Sequence, residues 1–363
     1  MSENSIPNLL SLRGPQRGGS LRSRGRRGAR HYSGASSGDR NRDEIVQGTD
    51  TDAAISRLSA VSLGYLADPF ASAFVANVNS TITARRLPII NRGTYTRTAA
   101  IDKLVTSFLE DSSSPKQIIS LGAGTDTRAL RLLASELMRS SLVYHELDFP
   151  AISRRKRQIV QTSTTVRNVL RNPTANEEDE VDAWMCTPLK KNDAFCFTGI
   201  DLRRLPGKPP SVLPGLRTDL STMLISECCL CYLEVSEATN VIQWFADKIP
   251  DLGIALYEAI RPDDAFGQIM VSNLAARGIY MPTLQKYKEV GDQKIRLSEA
   301  GFEKAKAKMI KDIWNDWVPI DEKGRVDGLE GLDEIEEWNL LAGHYVVAWG
   351  SKGEGFSGWD EIT

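Results

Sequence analysis

The segment Gln117-Ile118-Ile119-Ser120-Leu121-Gly122-Ala123-Gly124-Thr125-Asp126-Thr127 constrains the fold more than any other stretch of the chain. A short β-branched run reads as a buried strand, and two glycines one residue apart admit a tight turn. Thr125, Asp126 and Thr127 offer capping oxygens to the helix that RALRLLASEL predicts. Strand, glycine turn and helix in that order open a Rossmann-like half. The next apolar segment, residues 142–147, ends in Asp148, at the separation where an acidic residue reaches ribose hydroxyls. Residues 194–197 run on to Asp201 and residues 222–225 to Glu227, so three successive strands finish in a carboxylate. Residues 254–258 add a fifth strand and 345–349 a terminal one. With helices between them, this alternation predicts an α/β, doubly wound sheet. Ahead of it, Ile55, Leu58, Val61 and Leu66, then Ile101, Leu104, Phe108 and Leu109, predict a helical cap over about residues 51–112. Residues 172–191 and 206–218 read as surface insertions, and 51–363 as one domain.

Charge is unevenly spread. Residues 1–42 hold nine arginines against Glu3 and Asp39, a surplus of seven, so in a chain of net charge −2 the remainder carries −9. Gly, Ser and Arg bury too little apolar surface to offset chain entropy, which predicts a disordered, solvated tail over residues 1–50. The same composition suits weak RNA contact or an organelle-targeting role. No stretch approaches the roughly 20 apolar residues of a membrane span, and the first residues lack the apolar core of a secretory signal. A cytoplasmic address, extending to the nucleus, is expected. Five cysteines without metal-ligand spacing read as reduced thiols, so no metal is expected. With only His31, His145 and His344 in the chain, chemistry that needs no histidine is favoured, and His145 and His344 read as structural.

A dinucleotide fingerprint would place glycine where Thr127 stands, so charge decides the cofactor better than glycine count. NAD is anionic, whereas S-adenosylmethionine is net positive. Carboxylates gathered at the strand ends attract a cation by several kcal/mol before desolvation is subtracted. Asp148 would accept from the ribose hydroxyls and Asp201 from the adenine amino group. Glu227 would face the methionyl end, and Arg97 would pair with the methionyl carboxylate.

The residues also carry a family resemblance. Asn91-Arg92-Gly93-Thr94-Tyr95-Thr96-Arg97, Leu121 to Thr127, Glu146-Leu147-Asp148-Phe149-Pro150, Asp201-Leu202 and Glu227-Cys228-Cys229-Leu230-Cys231-Tyr232 resemble the motifs of the leucine carboxyl methyltransferases. FGQIM at 266–270 and His344, Tyr345 and Trp349 extend the similarity over roughly residues 52–352. The resemblance implies the Rossmann-like sheet of S-adenosylmethionine-dependent methyltransferases with an N-terminal helical cap. It also implies cofactor contacts at Arg97, Gly122, Asp148, Asp201, Leu202 and Glu227, with Arg57 as a further basic contact. The implied reaction is methyl transfer to the C-terminal leucine α-carboxylate of the protein phosphatase 2A catalytic subunit, giving a methyl ester. A carboxylate is already ionised at pH 7 and needs no general base. No catalytic residue is therefore named, although Arg92 and Tyr232 are candidates to orient the acceptor. The alternative within the fold is a small-molecule O-methyltransferase. A tRNA-modifying relative with a C-terminal repeat domain, an NAD-dependent dehydrogenase and a non-catalytic RNA-binding protein fit less well, the last because the folded part is acidic.

Overall fold

The computed structural model describes residues 37–75, 85–110, 114–135, 141–175, 182–189, 192–332 and 335–363. Nine strands form one sheet: β1 (Lys116–Leu121), β2 (Leu142–Asp148), β3 (Leu170–Ala175), β4 (Asp182–Pro188), β5 (Ala194–Gly199), β6 (Ser221–Glu227), β7 (Leu252–Ala259), β8 (Lys304–Met309) and β9 (Tyr345–Lys352). Their order across the sheet is β3-β4-β5-β2-β1-β6-β7-β9-β8. The five central strands, β5, β2, β1, β6 and β7, are parallel, and both flanks are antiparallel. The chain builds outward from β1 to one side through β2 and β5, then returns to the other through β6 and β7. The crevice of a doubly wound sheet therefore opens at the carboxyl ends of β1 and β6.

Both faces of these strands are buried, and alternation sorts their side chains into two cores. Ile118, Met223, Ile225 and Tyr257 pack with Ile101, Leu104 and Phe108 of α2 (Pro88–Glu110), and with α3 (Arg128–Ala134) and α4 (Pro150–Thr162). Ile119, Leu224, Ile254 and Leu256 join Val241, Ile242 and Phe245 from the helix Val235–Lys248. The result is three layers.

Three expectations change. The segment 172–191 is not a surface insertion where it is described: β3 and β4 pair antiparallel and extend the sheet beyond β5. Trp184 and Cys186, two residues apart, face the core, with Trp184 stacked on Phe197, and this apolar side of the alternation drives the pairing. A further strand, β8, reads Lys-Ala-Lys-Ala-Lys-Met and covers the outer edge of β9; its lysines mask the period. Finally, helix α1 (Ser37–Ser62) begins well before residue 51, so the disordered tail cannot extend to 50. Charges at 42, 43 and 50 each find a fixed partner on the body of the protein: Arg42 on Glu234, Asp43 on Arg203 and Asp50 on Arg155. The rest of the expected tail, residues 1–36, lies outside the described residues. Among the described residues no helix is long and apolar enough to cross a membrane, and all five cysteines are unbridged.

Candidate active site

Strand register brings the site together. Leu147, Leu121 and Ser226 are partners across β2, β1 and β6, so the next residues, Asp148, Gly122 and Glu227, stand in one row at the carboxyl edge of the sheet. Asp148 pairs with Gly199 of β5, which places Asp201 two residues beyond the same edge. These residues, with Arg97 and Leu202, line a single cleft roofed by α1 through Arg42, Asp43, Thr49 and Asp50.

The glycine turn is left-handed at Gly122 (φ +61°) and Gly124 (φ +50°). Close approach also requires both glycines. A Cβ on Gly122 would lie 2.5 Å from the Cys229 sulfur, and one on Gly124 would strike the Asp50 carboxylate. The second contact belongs to the roof. Asp50 Oδ1 accepts from Thr125 N (2.6 Å) and Thr125 Oγ1 (2.7 Å), while its Oδ2 meets Arg155. Gly124 thus makes room for a helix as much as for a ligand.

The three strand-end carboxylates differ in state. Asp148 accepts backbone N–H groups, from Gly124 (2.8 Å) on one oxygen and from Phe149 (2.7 Å) on the other. Burial nevertheless pushes its pKa up to about 6 against these bonds. Asp201 caps the 3₁₀ turn Leu202–Arg204 and takes the Arg203 guanidinium on both oxygens (2.8–3.0 Å); Arg203 also reaches Asp43 (2.6 Å). Glu227 accepts from Arg128 Nη1 (2.7 Å) on Oε1, and Arg97 Nε stands 3.2 Å from Oε2. Two of the three expected anions therefore already have arginine partners, and Asp148 is held by main-chain dipoles.

Arg97 lies 5.3 Å over the Tyr257 ring, a cation–π contact that fixes its guanidinium in the wall. Arg57, also in the cleft, bonds Asp68 (3.1 Å) and approaches Asp126 (3.5 Å). Arg128, Arg57 and neighbouring cations hold the Asp126 carboxyl well below the usual range although burial opposes them. Arg92, a candidate for orienting the acceptor, stands elsewhere. It lies over Trp314 (4.7 Å) and Trp338 (5.5 Å), paired with Asp327, because α2 carries it on a different face from Arg97. Tyr232 does line the cleft, and its carbonyl accepts from Arg42 (3.0 Å). His145 is buried, which lowers its pKa to about 4, and His344 is tied to Leu340 O and Asp264; neither lines the cleft.

Sequence reasoning missed the roof and Arg128. A signal for the roof was available: after residue 39 the arginine excess gives way to mixed charge, with Asp43, Glu44, Asp50 and Asp52 close together.

A doubly wound α/β sheet, a left-handed glycine turn at its switch point and a carboxylate with spare acceptor capacity beside it make a Rossmann-like cleft suited to a ribose-bearing cofactor. The chain belongs to the leucine carboxyl methyltransferase family, whose sequence model matches residues 46–246. It is 45% identical over 396 residues to "Leucine carboxyl methyltransferase 1" of Emericella nidulans, and 44% identical over 405 residues to that of Aspergillus fumigatus. Each alignment covers 100% of this chain and 98% of the relative. It is also 33% identical to "tRNA wybutosine-synthesizing protein 4" of Homo sapiens over 88% of this chain and 46% of that protein. The activity is S-adenosylmethionine-dependent carboxyl methylation.

The residues present fit that cofactor. Each Asp148 oxygen, bonded to one N–H, retains a lone pair for a ribose hydroxyl. Phe149, Ile200 and Leu202 offer apolar walls for a base, and Arg97 and Glu227 supply opposite charges for an amino acid.

Proposed function

We propose that the chain methylates the C-terminal leucine α-carboxylate of the protein phosphatase 2A catalytic subunit. The observation that carries this reading is a cleft with charge pairs suited to a zwitterionic cofactor and, among its described lining residues, no histidine to act as base. An acceptor that is ionised at pH 7 suits such a site, because alignment and water exclusion suffice. In this reading Asp148 accepts the ribose hydroxyls, and Leu202 with Ile200 flanks the adenine beside Asp201. Glu227 faces the ammonium, Arg97 the methionyl carboxylate, and Gly122 lets the backbone approach. S-adenosylmethionine, once bound, supplies an electrophilic methyl group. Helix α1 lines one side of the cleft, and in this reading it limits the access of bulk water to the methyl group.

A leucine side chain and one carboxylate supply only about 1.5–3 kcal/mol of apolar burial and a charge-assisted bond, too little for selectivity. Recognition therefore extends to the folded phosphatase through the helical cap. The test is transfer of labelled methyl to the intact catalytic subunit, its leucine-deleted form and a peptide of its last residues, followed by mild base. Base-labile label on the intact subunit, with far lower kcat/KM on the peptide, is expected. Label that survives deletion of the leucine overturns the acceptor, and equal efficiency on the peptide overturns the docking.

A further inference from the structure

We propose that Arg128 is a positioning residue for the amino-acid end of the cofactor: it fixes Glu227 and so keeps the charge of Arg97 available to the cleft. The inference rests on the reading that Glu227 and Arg97 face that end. Arg128 occupies the first position of α3, where the helix dipole disfavours a cation, yet its side chain is almost fully buried. Three carboxylates from three parts of the chain converge on it: Asp102 of α2 (2.9 Å to Nε), Asp126 of the turn (2.6 Å to Nη1) and Glu227 of β6 (2.7 Å to Nη1). Its Nη2 is buried without a hydrogen-bond partner.

The three acids do not depend on Arg128 equally. Asp102 is also held by both terminal nitrogens of Arg131 (2.6 and 3.1 Å). Asp126 has Arg57 nearby and caps the backbone N–H of residue 128. Glu227 has, among the described residues, only Arg128 and Arg97 as cationic partners. The Arg97 contact, through Nε at 3.2 Å, lies off the hydrogen-bond direction. The directed bond on Oε1 therefore sets the Glu227 rotamer and leaves Oε2 toward Arg97 and the cleft. Arg128 is not among the cleft-lining residues, so it acts from behind them. Without it, Glu227 can swing onto Arg97 and cancel the charge that would meet the methionyl carboxylate.

Calorimetry on the full chain can compare S-adenosylmethionine with 5′-methylthioadenosine, which keeps the nucleoside and sulfur but lacks the ammonium and carboxylate. Arg128→Met is expected to weaken S-adenosylmethionine about tenfold while 5′-methylthioadenosine stays within about twofold of the parent. Arg128→Lys keeps the buried charge without the fork; it should show the same split at smaller size, and it decides the matter if the methionine variant does not fold. In a Glu227→Gln background, Arg128→Lys should add no further loss. Equal loss of both ligands, no loss of either, or full additivity with Glu227→Gln overturns the proposal. A parent chain that binds neither ligand overturns the cofactor placement and the proposal with it.

Discussion

The floor and the roof of the cleft are held by different forces. The floor is main chain: Gly122 N bonds Leu147 O (2.8 Å) at the edge of a parallel ladder, and Ile118, Ile119, Leu147 and Leu224 beneath it are fully buried. The inner half of α1 shares that support, with Ala54, Ile55 and Ala60 in the core and Asp52 paired to Arg277 (2.7 Å). The outer half is held more lightly. Among its described residues only Ile45 and Val46 pack against the core, both partly buried, and the rest of its support is Arg42–Glu234 and Asp43–Arg203, whose side chains are 27–58% exposed, together with Asp50 on Thr125 and Arg155. Exposed pairs contribute about 0–1 kcal/mol each, so the floor keeps its geometry while the roof can open at modest cost.

The sharpest break is Gly122→Ala. A left-handed φ and a sulfur 2.5 Å from the new Cβ leave no unstrained solution. A loss of about 2–4 kcal/mol and at least a roughly hundredfold fall in methyl transfer are expected from strain and overpacking. Denaturant unfolding beside the labelled-methyl assay checks this, and an unchanged midpoint would mean that the turn is not rigid.

The roof is tested by truncation. Removing residues 1–50 rather than 1–36 strips Arg42, Asp43 and Asp50 together with Ile45 and Val46, and should weaken S-adenosylmethionine on the order of tenfold while lowering the unfolding midpoint only modestly. Equal affinities for the two truncations would deny α1 a role in holding the cofactor.

Asp148 joins the two comparisons through pH. Its pKa is raised by burial to about 6, so the carboxylate that would accept ribose hydroxyls is lost as pH falls through 6. Cofactor affinity should drop several-fold between about pH 7 and 5, and Asp148→Asn should be weak throughout and flat over that range. Stability moves the other way. Between about pH 4 and 6 the folded chain keeps a proton that the unfolded chain has released, so the contribution of Asp148 to apoprotein stability grows as pH falls. Affinity that tracks stability would remove Asp148 from the site.

The smallest effect is that of salt. Raising ionic strength should speed cofactor release only about two- to fivefold in stopped-flow measurements, through the exposed roof pairs, and Asp43→Asn should blunt the response. A response unaltered by that substitution would place the salt-sensitive step elsewhere.

Much of the floor was legible because its signals are short-range. β-branched runs, a Gly-x-Gly turn and acids at strand ends each act within a few residues, and the family motifs sit on those same positions. The cysteines are indeed unbridged, and neither His145 nor His344 lines the cleft. The flanking strands were less legible: β4 alternates correctly but sits beside Pro and acidic residues, and the lysines of β8 hide an edge strand.

What the local sequence determined was the order of elements and the row that Asp148, Gly122 and Glu227 form, because period-two burial and parallel register leave few alternatives. What only the tertiary structure decided was the partner of each charge. Asp50 meets Thr125 across 75 residues of chain and Arg128 meets Glu227 across 99, so no local pattern announces either. Hydrogen bonds act only near 3 Å, and a fold must be complete before two residues so far apart in sequence can find one another at that distance.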